Sequence, residues 1–265
     1  MRSPADLAAH LRPMGRVLLG YSGGIDSALL AVVASQALGP DRFLAVLGVS
    51  ASLGATQHRR AIDLAARHGV PLRELPTDEL DDDRYRANPL DRCYHCKRTL
   101  WRHVGALADR EGWDTIIDGT NADDLGEHRP GARAGHEAAV RTPLAELGWT
   151  KADVRRAAQA LGIEGWDAPA TPCLASRIRP HLEVTAARLA QVEEAEAFLR
   201  GLGVTGDLRV RHLDAVARIE VRPEAFGVVD AAWADITATL QRLGFERVER
   251  DPRGYRRGAL SVLEG

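Results

Sequence analysis

The sequence predicts an α/β protein, with a parallel-sheet domain over residues 1–180 and a smaller α+β domain over residues 181–265. Three observations carry that expectation. Short apolar runs alternate with helical patterns through the first two-thirds of the chain, and a Gly-Gly turn joins the first run to the first helix. From about Pro180 the alternation gives way to a long amphipathic helix and a cluster of strand-like runs.

In chain order, Arg16–Tyr21 (RVLLGY) reads as a buried strand and Ile25–Leu38, rich in Ala, Leu and Val, as a helix. Phe43–Ser50 is a second strand, and Ala55–His68 a second helix closed by Gly69. Leu72–Leu75 is a short third strand, and the acidic run Asp78–Asp83 reads as a solvated turn. A helix from about Tyr94 to Glu111 precedes the strand Asp114–Gly119, and Lys151 starts another helix. Strands alternating with helices argue a parallel sheet covered on both faces. Beyond the bridge Gly165–Pro180, Val184–Leu202 is amphipathic, and Leu208–Leu213 and Val216–Val221 read as strands. Val229, Trp233, Ile236, Leu240 and Leu243 form one helical stripe, and Phe245–Arg250 a last strand. So small a C-terminal core is expected to gain from self-association.

Hydrophobic residues at 45% and charged residues at 27% are ordinary for a soluble globular chain. A net charge of −2 gives no electrostatic case for a nucleic-acid partner. Residues 1–15 lack the apolar core and small-residue cleavage site of a signal peptide. No apolar run approaches the roughly 20 residues that span a bilayer. The expected compartment is the cytoplasm, with no membrane partner. Three cysteines make no disulfide framework; Cys93 and Cys96 form a C-x-x-C and Cys173 stands alone.

Tyr21-Ser22-Gly23-Gly24-Ile25-Asp26-Ser27 lies between the first strand and the first helix. Two glycines admit positive φ and a close backbone approach, so N–H groups of the turn and the helix start can converge on an anion. Ser22 and Ser27 add hydroxyls, whereas Asp26 suits the Mg²⁺ that accompanies a phosphate. The plain alternative is a Gly turn with a Ser/Asp helix cap. The full string resembles the PP-loop of the ATP pyrophosphatase superfamily, which implies cleavage of ATP between its α and β phosphates. The Walker signature G-K-[ST] is absent here. Val49, within Gly48–Ser50, and Gly119-Thr120-Asn121 close other strands at their carboxyl ends, where open α/β sheets bind ligands. Lys151 can reach a phosphate or stand as a solvated lysine.

Longer strings narrow the family. Asn88–Lys97 (NPLDRCYHCK), Asp118–Gly131 (DGTNADDLGEHRPG) and Trp166–Ile178 (WDAPATPCLASRI) resemble the LarE family of sulfur transferases, as do LRVRHLDAVARIEV and RGYRRGAL near the C-terminus. The resemblance covers nearly the whole chain. It implies adenylation of a carboxylate of pyridinium-3,5-biscarboxylic acid mononucleotide, and its conversion to a thiocarboxylate, for the nickel-pincer nucleotide of lactate racemase. It also implies a homo-oligomer, with hexamers known. The sulfur comes from one of two sources in such a family. Either the cysteine matched by Cys173 is sacrificed, or Cys93, Cys96 and Cys173 hold a 4Fe–4S cluster that carries an added sulfide. A Cys3His zinc site, a redox pair or buried thiols remain alternatives.

Arg177 has the fork for a substrate carboxylate or phosphate, and Arg209 and Arg211 alternate on one strand face that suits the mononucleotide phosphate. Surface arginine is the alternative for each. The chain departs from the family after Ile178, reading RPHLEV where Pro-Tyr-Gly is commoner, so the substrate-facing loop differs. Two other functions share the loop. A PP-loop tRNA thiolase would need an electropositive face, and an ammonia-dependent adenylating ligase has no use for grouped cysteines. An idle nucleotide binder would not need Asp26.

Overall fold

A computed structural model describes residues 2–126, 130–168 and 172–256. In chain order the elements are α1 (Pro4–Leu11), β1 (Val17–Tyr21), α2 (Ile25–Leu38), β2 (Phe43–Val49), α3 (Ala55–Arg67) and β3 (Leu72–Pro76). There follow α4 (Asp83–Arg86), α5 (Arg92–Glu111), β4 (Thr115–Asp118), α6 (Pro130–Glu137), α7 (Pro143–Glu146) and α8 (Lys151–Ala160). Then come α9 (Ala186–Gly201), β5 (Leu208–His212), β6 (Val216–Val221), α10 (Phe226–Ala231), α11 (Trp233–Arg242) and β7 (Arg247–Arg250). The apolar runs became strands and the long Ala- and Leu-rich patterns helices.

The chain forms two compact units. The first holds residues 1–79 and 91–171, and the second holds 80–90 and 172–265. In the first, four parallel strands run in the order β3-β2-β1-β4. Every residue of β1 is buried, as a central parallel strand covered on both faces requires. On one face Leu7, Leu11, Leu29, Leu30, Val154 and Trp149 pack with Leu19. On the other, Leu18 and Val46 meet Trp101, Val104 and Leu107 of α5. Because β1 lies between β2 and β4, the strand order reverses beside β1, and its carboxyl end opens on the crevice where such sheets bind ligands.

The second unit has a three-stranded sheet in which β5 and β6 are antiparallel and β6 and β7 parallel. Ala195 and Leu199 of α9 share its core with Val210, Ile219, Ile236, Leu240 and Phe245. Thr185 caps α9 by accepting from the Arg188 amide.

Three expectations are corrected. The units part at residue 172, not at 180, and the second takes in 80–90. The reason is Asn88: it is buried, and its side-chain amide donates to the carbonyls of Arg179 (2.7 Å) and Leu182 (2.9 Å). Nearby, the Val184 amide donates to Arg86 O. The single stripe Val229–Leu243 is two helices, broken at Ala232, where φ is −103° and ψ 15°. Within the acidic run, Glu79 is not solvated: it is buried and accepts a hydrogen bond from the Ser50 hydroxyl.

Candidate active site

The PP-loop follows β1 and enters α2. Gly23 has φ +70°, and a Cβ there would stand 2.6 Å from Ala61 Cβ, so only glycine lets α3 lie against the turn. The loop is folded by its own serines. The Ser22 amide donates to Ser27 Oγ (3.2 Å), Ser27 Oγ donates to Gly24 O (2.9 Å), and the Gly24 amide donates to Ser22 Oγ (3.3 Å). Helix α2 has no side-chain cap, which leaves its first-turn N–H groups to a ligand. Across the crevice, the loop after β4 touches α2, for a Cβ on Gly119 would lie 2.8 Å from Ser27 N. The uncapped start of α2 thus lies beside the two loop hydroxyls and the loop after β4. The arrangement fits a polyphosphate.

Asp26 stands at the centre. Its Oδ1 accepts from Asn121 Nδ2 at 3.1 Å, and its Oδ2 is paired with Lys151 Nζ. Asn121 is itself buried and accepts the Asp123 amide at 3.0 Å, while Asp123 accepts the Lys151 amide at 2.8 Å. Lys151 is set at the start of α8 by the capping box of Thr150 and Asp153. Thr120 donates its amide to Asp118 Oδ1 at 2.9 Å. A carboxylate held by one oxygen, with a displaceable lysine on the other, suits Mg²⁺ by ligand type.

The structure therefore gathers Ser22, Gly23, Gly24, Asp26, Ser27, Gly119, Thr120 and Lys151. Val49 ends β2 and packs against the core. Tyr21, expected with the ligand set, turns its side chain away from it. Its hydroxyl donates to Ala61 O at 3.0 Å, and burial, partly offset by the charge of Arg60, pushes the phenol up to about 12. Asn121, expected at the site as the third residue of the Gly119-Thr120-Asn121 string, is tied there to Asp26. Buried Glu79, which accepts from Ser50 after β2, had no mark in the acidic run to distinguish it.

Cys93 and Cys96 lie in the first two turns of α5, three residues apart and so on one face, with Cys93 exposed and Cys96 half-buried. Both belong to the first unit and Cys173 to the second. Among the described residues no three His, Cys, Asp or Glu side chains are gathered as a metal site. The three thiols fit a 4Fe–4S cluster by ligand type alone.

In the second unit Cys173 precedes a 3₁₀ turn, Leu174–Arg177, and is half-buried. Its carbonyl accepts Ser176 Oγ (2.7 Å), the Ser176 amide (3.0 Å) and Arg177 Nη1 (3.0 Å). Arg177, expected to meet substrate, is instead buried and forks onto Glu196, Nε to Oε1 at 2.9 Å and Nη2 to Oε2 at 3.1 Å. Arg211 is likewise engaged, by Glu220 at 2.8 Å and by Ser176 O at 3.1 Å. Both arginines fasten the cysteine turn. Arg209 differs: its guanidinium donates to Leu208 O at 2.6 Å and lies 5.1 Å from the Tyr255 ring, and no ion pair to a described carboxylate holds it. Burial, with the charge of Arg177, pulls its pKa down. The strings around Cys173 and the C-terminus include residues 169–171 and 257–260, and the Asp118–Gly131 string includes 127–129; these lie outside the described residues.

No helix among the described residues is long and apolar enough to cross a membrane. A family model described as NAD synthase matches residues 9–85, which run from α1 through β3 to α4 and hold the PP-loop. An uncharacterised protein of Synechocystis sp. is 40% identical over 94% of this chain and 92% of its own length. The pyridinium-3,5-bisthiocarboxylic acid mononucleotide synthase of Lactiplantibacillus plantarum is 34% identical over 97% of this chain and 93% of its own. An uncharacterised protein of Methanocaldococcus jannaschii is 29% identical over 88% of each.

Proposed function

The chain belongs to the LarE family of PP-loop enzymes, and from that premise we propose that it is an ATP-dependent sulfurtransferase. It adenylates a carboxylate of pyridinium-3,5-biscarboxylic acid mononucleotide and converts it to a thiocarboxylate, in nickel-pincer nucleotide biosynthesis. The observation that carries the reading is the open first turn of α2 beside a fixed Asp26, in a chain alike almost end to end to a named synthase.

A carboxylate oxygen leaves poorly, and bonding it to the α phosphorus of ATP turns it into part of AMP, a good leaving group. The carboxylate forms that bond as the α phosphorus parts from the oxygen bridging to β, which departs with its electron pair in pyrophosphate. The amides at the start of α2 hold the phosphates, and donors of Ser22, Gly24 and Ser27 join them by giving up their bonds within the loop. Asp26 would hold the Mg²⁺ that screens the phosphate charge, and Lys151, paired with Asp26 in the free protein, would turn in exchange to a phosphate oxygen. Asn121 keeps Asp26 in place during that exchange. Hydrosulfide equivalents then attack the acyl carbon, AMP leaves, and one proton is released. Arg209 holds the substrate phosphate. A 4Fe–4S cluster on Cys93, Cys96 and Cys173 supplies, when bound, an iron position for the sulfide to be transferred.

The test is product analysis with ATP, Mg²⁺ and the dicarboxylate under anaerobic conditions. AMP, pyrophosphate and a thiocarboxylate are expected, and ADP with phosphate would overturn the reading. Asp26→Asn abolishes adenylation while the thermal melt is kept. Changing any one cysteine to Ser removes the iron–sulfur chromophore and sulfide-dependent turnover. Full activity in the Cys93 and Cys96 variants, with dehydroalanine at 173 in the wild type after one turnover, would assign the sulfur to Cys173 instead.

A further inference from the structure

Helix α3 brings an arginine to the flank of the PP-loop. Gly23 brings the loop against α3 at Ala61, and the residue before it, Arg60, is exposed. Among the described residues Arg60 has neither a carboxylate nor a hydrogen-bond partner. Its guanidinium nevertheless has a seat. A Cβ on Gly165 would stand 2.1 Å from Arg60 Nη2 and 3.2 Å from its Cζ, so the side chain lies across the bare backbone of that residue, where φ is +70°. Any larger residue at 165 would push it off. The charge is felt by the Tyr21 phenol, which sits under the loop on the Ala61 carbonyl.

The charge balance of the crevice says why such a cation matters. Lys151 and Asp26 neutralise each other, and a helix start offers only about half a positive charge. Pyrophosphate leaves with several negative charges, which build up as the bond to the α phosphorus breaks. A positioned guanidinium suits them, because its fork meets two phosphate oxygens at once.

We infer that Arg60, seated on Gly165 at the flank of the PP-loop, binds the departing pyrophosphate. This rests on the proposed cleavage of ATP to AMP and pyrophosphate. The ligand class is a polyphosphate in its Mg²⁺ complex, and the nucleoside and acyl ends of the intermediate lie outside the reach assigned to this residue. The bond changes are those of adenylation, and Arg60 neither gives nor takes a proton.

Calorimetric titration of the full chain with Mg-pyrophosphate and, separately, with AMP tests the inference. Arg60→Ala is expected to weaken pyrophosphate binding about tenfold or more, worth about 1.4 kcal/mol, and to leave AMP binding within about twofold. Arg60→Lys should recover part of the loss, since charge without the fork remains. Gly165→Ala, which leaves Arg60 in place chemically, should reproduce the loss by unseating it. Unchanged pyrophosphate affinity in Arg60→Ala would overturn the inference, as would equal weakening for AMP. The two ideas fail separately. Wild-type protein that makes AMP and pyrophosphate while Arg60→Ala binds pyrophosphate normally keeps the function and removes Arg60. Wild-type protein that makes ADP removes the function, whatever the titration reads.

Discussion

Arg177 and Arg211 both donate to backbone carbonyls of the turn that carries Cys173, and each is matched by one carboxylate that its sequence neighbourhood does not reveal. Glu196 lies 19 residues from Arg177 and Glu220 nine from Arg211, and only the packing of α9 and the β5–β6 pairing brings each carboxylate to its arginine. Asp26, by contrast, was legible as a site residue because the whole string around it is local. The buried pair has a measurable weight. Arg177 is 3% exposed and Glu196 17%, so Glu196→Ala strands a guanidinium in the interior. Breaking such a pair costs about 3–5 kcal/mol. Equilibrium denaturation is expected to show that loss, and Cys173 should become more reactive to alkylating reagents as its carbonyl loses the Arg177 anchor. A denaturation midpoint equal to wild type would mean that Arg177 finds another partner.

Among the elements, strands and helices of the first unit were readable because each apolar run is bounded by glycine or charge. The break between α10 and α11 was not, since Asp230-Ala231-Ala232 contains no helix breaker and the apolar spacing passes straight through it. Nor does any local signal reveal that β7 pairs parallel to β6. Strand β5 carries a pH signature of its own. His212 is buried there, with Nε2 at 2.9 Å from Gln191 Oε1 and its ring against Phe245, and burial, helped by the charge of Arg188, lowers its pKa from 6.5 to about 4. The unfolded imidazole takes up its proton near 6.5 and the folded one only near 4. Stability present above pH 6.5 is therefore lost as the pH falls toward 4, by roughly 3 kcal/mol at about 1.4 kcal/mol per unit. Denaturant titrations at pH 7, 5.5 and 4.5 should show this slope, and His212→Gln should flatten it. An unaltered slope in that variant would place the acid sensitivity in the carboxylates.

For the molecule as a whole, the chain divides between two compact units at places that the sequence does not mark. An 11-residue piece cut from the middle of the first unit's sequence, Leu80–Leu90, belongs with residues 172–265. No composition shift marks it, because its membership is decided by what Asn88 finds 90 residues later. The compact second unit is expected to mediate self-association, and light scattering at micromolar concentration should give a mass above that of one chain; a monomer mass would count against it. The borrowed segment also has a consequence for biosynthesis. As the chain leaves the ribosome, Leu80–Leu90 emerges long before the carbonyls of Arg179 and Leu182 that its Asn88 will bind. The first unit can close around its sheet while this piece waits outside it, and the second unit cannot finish until the last third of the chain is made. A nascent chain stalled near residue 171 should therefore protect its PP-loop from protease yet be cut between 80 and 90. In a gene split at the units' boundary, the C-terminal fragment would come up short by one strip of its own fold.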